Sequence, residues 1–278
     1  MELLLNELSL KGQFNSIEEF VHTALPPLLS VFKETDSSRD LLYKNYDFYT
    51  SMVTPDIDLY SIVHGSVSRE YDEIRRFKTR LAGLFEQPYW EDNPKHSSTI
   101  AYQWNGIPIS GSSLAEACER DKISISFLCN NFNNRVLKIV KENSIVLIDN
   151  LFSKGHYLEV LKERRIISFE QYCIVKFQGS KLDFSQIYTR DGFELITADT
   201  EDLFFDSFRK FEELTWPQIL VDDALEYKEY NNRRYFKEID NRIKKFRISQ
   251  KYRCFGYVNN GVFYVLMFDI THKLSDKG

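Results

Sequence analysis

Nine residues near the carboxy-terminal end of this sequence could act together on a phosphodiester. Lys244, Lys245 and Arg247 sit at the start of one aromatic and β-branched run. Lys251, Tyr252 and Arg253 open the next, with Tyr257 further along it. His272 and Lys273 follow a third run that ends at Asp269. Cutting RNA without a metal needs a base for the 2′-hydroxyl, positive charge for the phosphorane-like transition state and an acid for the leaving oxygen. Each acid or base contributes about 10²–10⁴-fold. His272 suits the acid or base role because an imidazole titrates near neutrality. Arg253 and Arg247 suit the scissile phosphate, since a guanidinium grips it with two parallel bonds and stays charged. Lys244, Lys245, Lys251 and Lys273 could grip flanking phosphates, and Tyr252 or Tyr257 could stack a base. The expected catalytic set is His272, Arg253 and Arg247, with no metal and no cofactor.

Each of these residues also has a plainer reading. On a strand beginning at Tyr252, Arg253, Phe255 and Tyr257 share one face. That face is either a stacking platform with a phosphate clamp or a cation lying over structural aromatic rings. His272 could be a loop histidine bonded to a carbonyl or to Asp269. Lys244 and Lys245 could mark a solvated helix end. Cys254 beside Arg253 is either a thiol of lowered pKa or a buried strand thiol.

Other chemistries find less in the sequence. The five histidines (His22, His64, His96, His156 and His272) form no i,i+4 pair, and there is no HxH or Cys/His cluster of the kind zinc requires. There is no GxxxxGK[ST] loop, no GxGxxG and no GxSxG elbow. Asp149, Glu159 and Lys162 are the nearest approach to a metal-dependent nuclease set. Trp90 and Trp104 could line a groove or seal the underside of a core. Cys118, Cys129, Cys173 and Cys254 are scattered without CxxC spacing and read as reduced core thiols of a cytoplasmic protein. No apolar run reaches membrane-span length, and the first residues lack a signal-peptide layout.

The elements that must position these residues are legible in outline. The 278-residue chain, 43% apolar and 15% aromatic, can build one large or two modest cores. Its net charge of −5 excludes a globally basic nucleic-acid binder, but the charge is uneven. Acids dominate from Asp199 to Glu226, whereas Tyr227 to Arg253 carries ten Lys or Arg against three Asp or Glu. Met1 to Leu10 reads as a strand, and Ser16 to Glu19 as a capping box opening a helix that Pro26-Pro27 should kink. Helices are expected over Asp40–Met52, Val67–Phe85 and Tyr157–Arg164, with a further short one from Ser113. Strands are expected over Ile123–Leu128, Ser144–Ile148 and Tyr172–Phe177. A boundary is expected between Gly179 and Asp191, dividing a helix-rich domain with a small sheet (1–180) from a second domain (190–278). The second domain reads as a strand at Phe193–Thr197, a helix over Glu201–Leu214, a helix capped by Thr215 that runs toward Tyr230, and three terminal strands. Asn259-Asn260-Gly261 is a hairpin turn between the last two. The order is β-α-α-β-β-β, and the fold class is α+β.

That order resembles the RelE/ParE superfamily of toxins, small ribosome-dependent mRNA endonucleases of toxin–antitoxin systems. The likeness rests on Arg247 before the second strand, Tyr252-Arg253 opening the third, and Thr271-His272-Lys273 after the last. Thr215-Trp216 and Asp269-Ile270-Thr271-His272 are similar to features of uncharacterised bacterial modules. The N-terminal part resembles bacterial proteins of mobile elements or phage defence. The resemblance implies a RelE-like antiparallel sheet domain, a toxin-like endoribonuclease activity, and RNA, the ribosome or an antitoxin as partner. Two rival functions stay open: a non-catalytic protein-interaction module, and a nucleic-acid sensor that binds without cutting.

Overall fold

The computed structural model describes residues 1–35, 40–65, 71–85 and 87–271 together with Leu274, the side chains of 80–85 and of Arg233 excepted. The chain is α+β, with two sheets, and divides into two compact units, Met1–Val160 and Leu161–Gly278. The division lies ahead of the stretch at Gly179–Asp191, which falls inside the second unit.

In the first unit, β1 (Glu2–Leu5) is an interior strand of a seven-stranded mixed sheet. Leu3, Leu4 and Leu5 are all fully buried, as a parallel strand covered on both faces requires. Ser16 caps α1 (Ile17–Glu19) by accepting from the Glu19 amide. The helix then passes Pro26-Pro27 without a break. A wide turn over Phe20–Ala24 lets the Leu25 amide reach the Phe20 carbonyl, and α2 (Leu25–Thr35) carries both prolines in its first turn, where missing N–H groups cost little.

β2 (Leu41–Tyr43) runs parallel to β1. This corrects the expected helix over Asp40–Met52, of which only a 3₁₀ turn at Tyr46–Phe48 is helical. Two helices follow, α3 (Leu59–His64) and α4 (Asp72–Phe85); residues 66–70, where the third helix was expected to begin, lie outside the described residues. Then come β3 (Tyr102–Trp104), β4 (Ile107–Pro108), α5 (Ser113–Glu119), β5 (Ile123–Ile125), β6 (Val136–Lys141) and β7 (Ser144–Leu151). The sheet order is β2-β1-β5-β7-β6-β3-β4, its first four strands parallel and the rest antiparallel. The small sheet expected in this half is thus the larger of the two. Its strands β2, β3 and β4 are only two or three residues long, too short to leave a pattern in the sequence.

α5 is tied to the loop before β3 through Glu116, which is fully buried. Glu116 accepts from the Lys95 and His96 amides at 3.0 Å, from Arg120 Nε at 2.5 Å and from His96 Nδ1 at 2.7 Å. Arg120 goes on to Glu2 of β1 at 2.8 Å and lies over the Tyr43 ring of β2.

The second unit opens with α6 (Lys154–Glu163) crossing into it, then α7 (Phe169–Phe177). α7 replaces the strand expected at Tyr172–Phe177. Ser168 and Gln171 form a reciprocal capping box, which commits a strand-like composition to a helix. β8 (Leu182–Asp183) is followed by a 3₁₀ turn at Phe193–Leu195, where a strand was expected. α8 (Glu201–Glu213) is followed by α9 (Trp216–Val221), which starts at Thr215 as expected, with the Gln218 side chain accepting from the Thr215 amide. α9 stops well short of Tyr230.

β9 (Lys228–Glu229), β10 (Ile243–Arg247), β11 (Arg253–Asn259) and β12 (Val262–Asp269) complete a five-stranded sheet of order β8-β12-β11-β10-β9. The β11–β12 hairpin turns at Asn260 and Gly261, both at positive φ. Opposite it, Gly256 admits the Phe263 ring and the Tyr264 carbonyl so closely that any Cβ would collide with them.

Both faces of this sheet are covered. Phe204, Phe208 and Phe211 of α8 pack on Phe246, Phe263 and Phe268. The opposite face carries a smaller core of Tyr230, Phe236, Ile243, Phe255, Leu266, Met267 and Leu274.

The Glu116 network supports a pH prediction. Burial pushes the Glu116 carboxyl up, but the His96 and Lys95 N–H groups and the Arg120 guanidinium outweigh it and leave the pKa below the ordinary value. A depressed folded pKa stabilises above the unfolded carboxylate pKa of about 4.3 and is lost as pH falls through the folded value. Glu116→Gln is therefore expected to cost about 3–5 kcal/mol near neutrality, by breaking a buried pair. In urea titrations across acidic pH, the gap between wild type and variant should narrow as the solution is acidified.

Candidate functional site

Register brings the sequence-predicted arginines together. β10 and β11 pair so that Arg247 lies opposite Arg253, and β12 places Asp269 opposite Arg253. These three therefore share one face at one end of the sheet. Two residues along, Lys228, Lys245, Phe255 and Met267 form the next cross-strand row. Directly opposed like charges are destabilising, so the arginine pair requires compensation.

Part of the compensation is visible. Arg247 Nη2 pairs with the Glu226 carboxylate, and the Arg247 amide donates to the Leu225 carbonyl at 2.6 Å. Glu226 adopts φ 42°, a left-handed conformation that costs a side-chain-bearing residue about 1–2 kcal/mol. Arg253 Nη1 donates to the carbonyls of Ser249 (2.6 Å), Tyr252 (3.0 Å) and Gln250 (3.3 Å), clasping the turn between β10 and β11. Burial first, and the Arg247 charge second, push the Arg253 pKa down, with Glu226 and Asp269 opposing. Arg247 Nε is buried without a hydrogen-bond partner. Asp269 is buried, and its carboxylate accepts from the Thr271 amide at 3.3 Å and the Leu274 amide at 3.0 Å.

The remaining expected residues divide. Lys245 is only 5% exposed, with its ammonium over the Tyr230 ring at 5.1 Å and the Phe255 ring at 5.8 Å. Burial, then Lys228 and Arg253, lower its pKa. It is Lys245, and not Arg253, that lies over structural aromatic rings, and from there it is closed to a flanking phosphate. Lys244, on a strand and not at a helix end, pairs with Glu229 at 2.9 Å. Lys251 is exposed in the turn. Tyr252 stacks on Phe204 of α8 at 5.8 Å, on the side of the main core. Tyr257 stacks on Tyr264 at 5.2 Å and 16°, both half-buried, and packs against the smaller core. His272 and Lys273 lie outside the described residues. Cys254 is wholly buried, and burial raises its pKa well above the ordinary thiol value. All four cysteines are free and buried.

Sequence reasoning missed Glu226, Lys228, Asp269 and Tyr264 as members of this surface. Their roles arise from cross-strand pairing, and local spacing carries no signal for it. The alternative metal set is dispersed into ion pairs: Glu159 with Arg135 at 3.4 Å, and Lys162 with Glu201 at 3.6 Å. Among the described residues no group of three or more His, Cys, Asp or Glu is placed to hold a metal ion. Trp90 is buried with its Nε1 donating to Ser113 Oγ at 3.1 Å, and Trp104 stacks on Phe132 at 4.3 Å. Among the described residues no helix is long and apolar enough to cross a membrane.

No family model, no curated protein and no solved structure matches the chain.

Two guanidinium groups in register repel each other, and an oxyanion seated between them would relieve that repulsion. A bound anion stabilises the folded state by mass action. Sulfate at matched ionic strength should therefore raise the melting temperature of wild type more than that of Arg253→Met, measured against chloride. Equal increments in both proteins would show that sulfate acts only as a general stabilising salt.

Proposed function

We propose that the second unit is a RelE-like module that seats an RNA phosphate on the Arg247–Arg253 pair and cleaves the strand without a metal, as a toxin-like endoribonuclease of a bacterial toxin–antitoxin or phage-defence system. The observation that carries this reading is the cross-strand arginine pair itself. Around it, Lys228, Lys245, Arg247 and Arg253 outnumber the two carboxylates, Glu226 and Asp269, that act on them. Further support comes from the order of elements. From Leu182–Asp183 onward, after α7, the unit runs β-α-α-β-β-β once the two-residue β9 is set aside. The first strand pairs parallel to the last.

The chemistry follows from the residue types. Arg247 and Arg253 hold the non-bridging oxygens and stabilise the charge that builds in the transition state. Half-buried Tyr257, beside Tyr264, is the residue against which a base would stack. His272, three residues beyond Asp269 in the sequence, is the acid or base.

A second reading is favoured by a specific observation. Lys244 and Arg247 already pair with carboxylates, and Tyr252 faces the core. A surface so partly neutralised can dock a protein partner, or bind RNA as a sensor, without cutting.

Full-length protein titrated with a fluorescent single-stranded RNA separates these outcomes. The proposal expects affinity to fall with salt, with a slope of about −0.7 for each phosphate contacted. Arg253→Ala should flatten that slope, while His272→Ala should keep binding and abolish cleavage. Binding that survives both changes with no RNA product would favour the sensor. No binding at all would remove RNA as the ligand and leave the protein-docking reading.

A further inference from the structure

In the first unit, β6 is paired along its whole length on one side and along half of it on the other. β7 partners every residue from Val136 to Lys141. β3 partners Ile139, Val140 and Lys141, and then Asn105 (φ 50°) and Gly106 (φ 78°) turn the chain back into β4. Among the described residues no strand continues β3 along this edge. Successive residues of an antiparallel strand direct their backbone groups to opposite sides. The Arg135 carbonyl accepts from the Asn150 amide on the β7 side, and the Glu142 amide donates to the Ala101 carbonyl on the β3 side. The alternation between these two points turns the N–H and C=O groups of Val136 and Lys138 toward the open edge.

That edge borders a groove of about 480 Å³, lined by Val136, Leu137 and Lys138 and, among others, by Trp104, Asn105 and Arg135. Half-exposed Trp104 and buried Leu137 give it apolar surface. No Asp or Glu lines it, Arg135 is paired with Glu159 at 3.4 Å, and Lys138 is exposed. An open edge is a template for another strand, and a lysine on it deters indiscriminate pairing. Here Lys138 would admit an acidic strand and refuse a basic one.

We propose that the open edge of β6 takes an extended acidic–apolar–apolar peptide of a partner protein as an added strand, antiparallel as β3 is. Main-chain bonds to Lys138 and Val136 hold it, and alternate side chains select it. The residue opposite Lys138 projects on the outer face, where an opposite charge across the strands is favoured. The residue opposite Leu137 projects on the other face, which Trp104 shares through its pairing with Ile139. The third meets Val136. The stretch from Val136 to Lys138 is about 10 Å long. A folded sheet edge would have to pass the β3–β4 hairpin that ends it, whereas a single extended chain need only start beside that hairpin.

Fluorescence polarisation of the full chain with a labelled, end-capped peptide, Ser-Thr-Asp-Phe-Val-Thr-Ser, tests this. The peptide should bind, and replacing its Asp by Lys should weaken binding. Lys138→Glu changes an exposed side chain and should reverse that preference. N-methylation of the peptide's Asp or Val amide, each directed at β6, should weaken binding roughly tenfold or more, and N-methylation of its Phe amide, directed away, much less. The N-methyl series uses wild-type protein and so stands whether or not the variant folds by circular dichroism. The proposal is overturned if the peptide does not bind at about millimolar concentration, if N-methylation costs the same at all three positions, or if Lys138→Glu folds and still prefers Asp. A dimer of the chain alone in sedimentation, lost in Lys138→Glu, would give the edge to a second copy and overturn the peptide as its occupant.

Discussion

Two guanidinium groups held opposite each other across antiparallel strands are the constraint on which the second unit turns. Their placement follows from the core. Phe246, Cys254 and Phe268 form one cross-strand row and are essentially sealed from water. Shifting the pairing by one residue would turn all three outward. The register that buries them necessarily aligns Arg247, Arg253 and Asp269 on the opposite face, at the edge of the smaller core. Hydrophobic burial thus fixes the repulsion, and the chain answers it locally. Glu226 takes a strained backbone to meet Arg247, and the β10–β11 turn offers three carbonyls to Arg253.

This arrangement separates structural from available charge. Lys245 is spent on two aromatic rings, Lys244 on Glu229, and one Arg253 nitrogen on its own turn. What remains for a ligand is narrower than a count of basic residues suggests: the outward edge of the arginine pair, exposed Lys228 and Lys251, and the solvent-facing part of half-buried Tyr257 and Tyr264. An oxyanion seated on the pair would neutralise the charge that Glu226 and Asp269 leave over.

The terminal hairpins were legible in the sequence because every device agreed there: alternation in β11 and β12, Asn-Asn-Gly at the turn, and cations at the strand starts. α8 and α9 were legible from a single apolar stripe and from the Thr215 cap. Where composition and capping disagreed, composition misled. Tyr172–Phe177 looks like a strand until Ser168 and Gln171 are seen to start a helix. Phe193–Thr197 has strand-like residues, yet the strand that joins the sheet is the two-residue Leu182–Asp183, too short to leave a pattern. In the first sheet β1, β5 and β7 lie within runs that read as strands, while β2, three residues long, leaves too short a run to stand apart from a helix.

The central claim concerns Arg247 and Arg253 as one oxyanion site. It is tested most directly by following the Nε–H resonances of both arginines by NMR in the full chain while a short RNA is added. The account predicts that the two signals move together and saturate at the same RNA concentration, and that Arg253→Met abolishes the response at Arg247. RNA that binds while both signals stay fixed, or an Arg247 response that persists without Arg253, would contradict it.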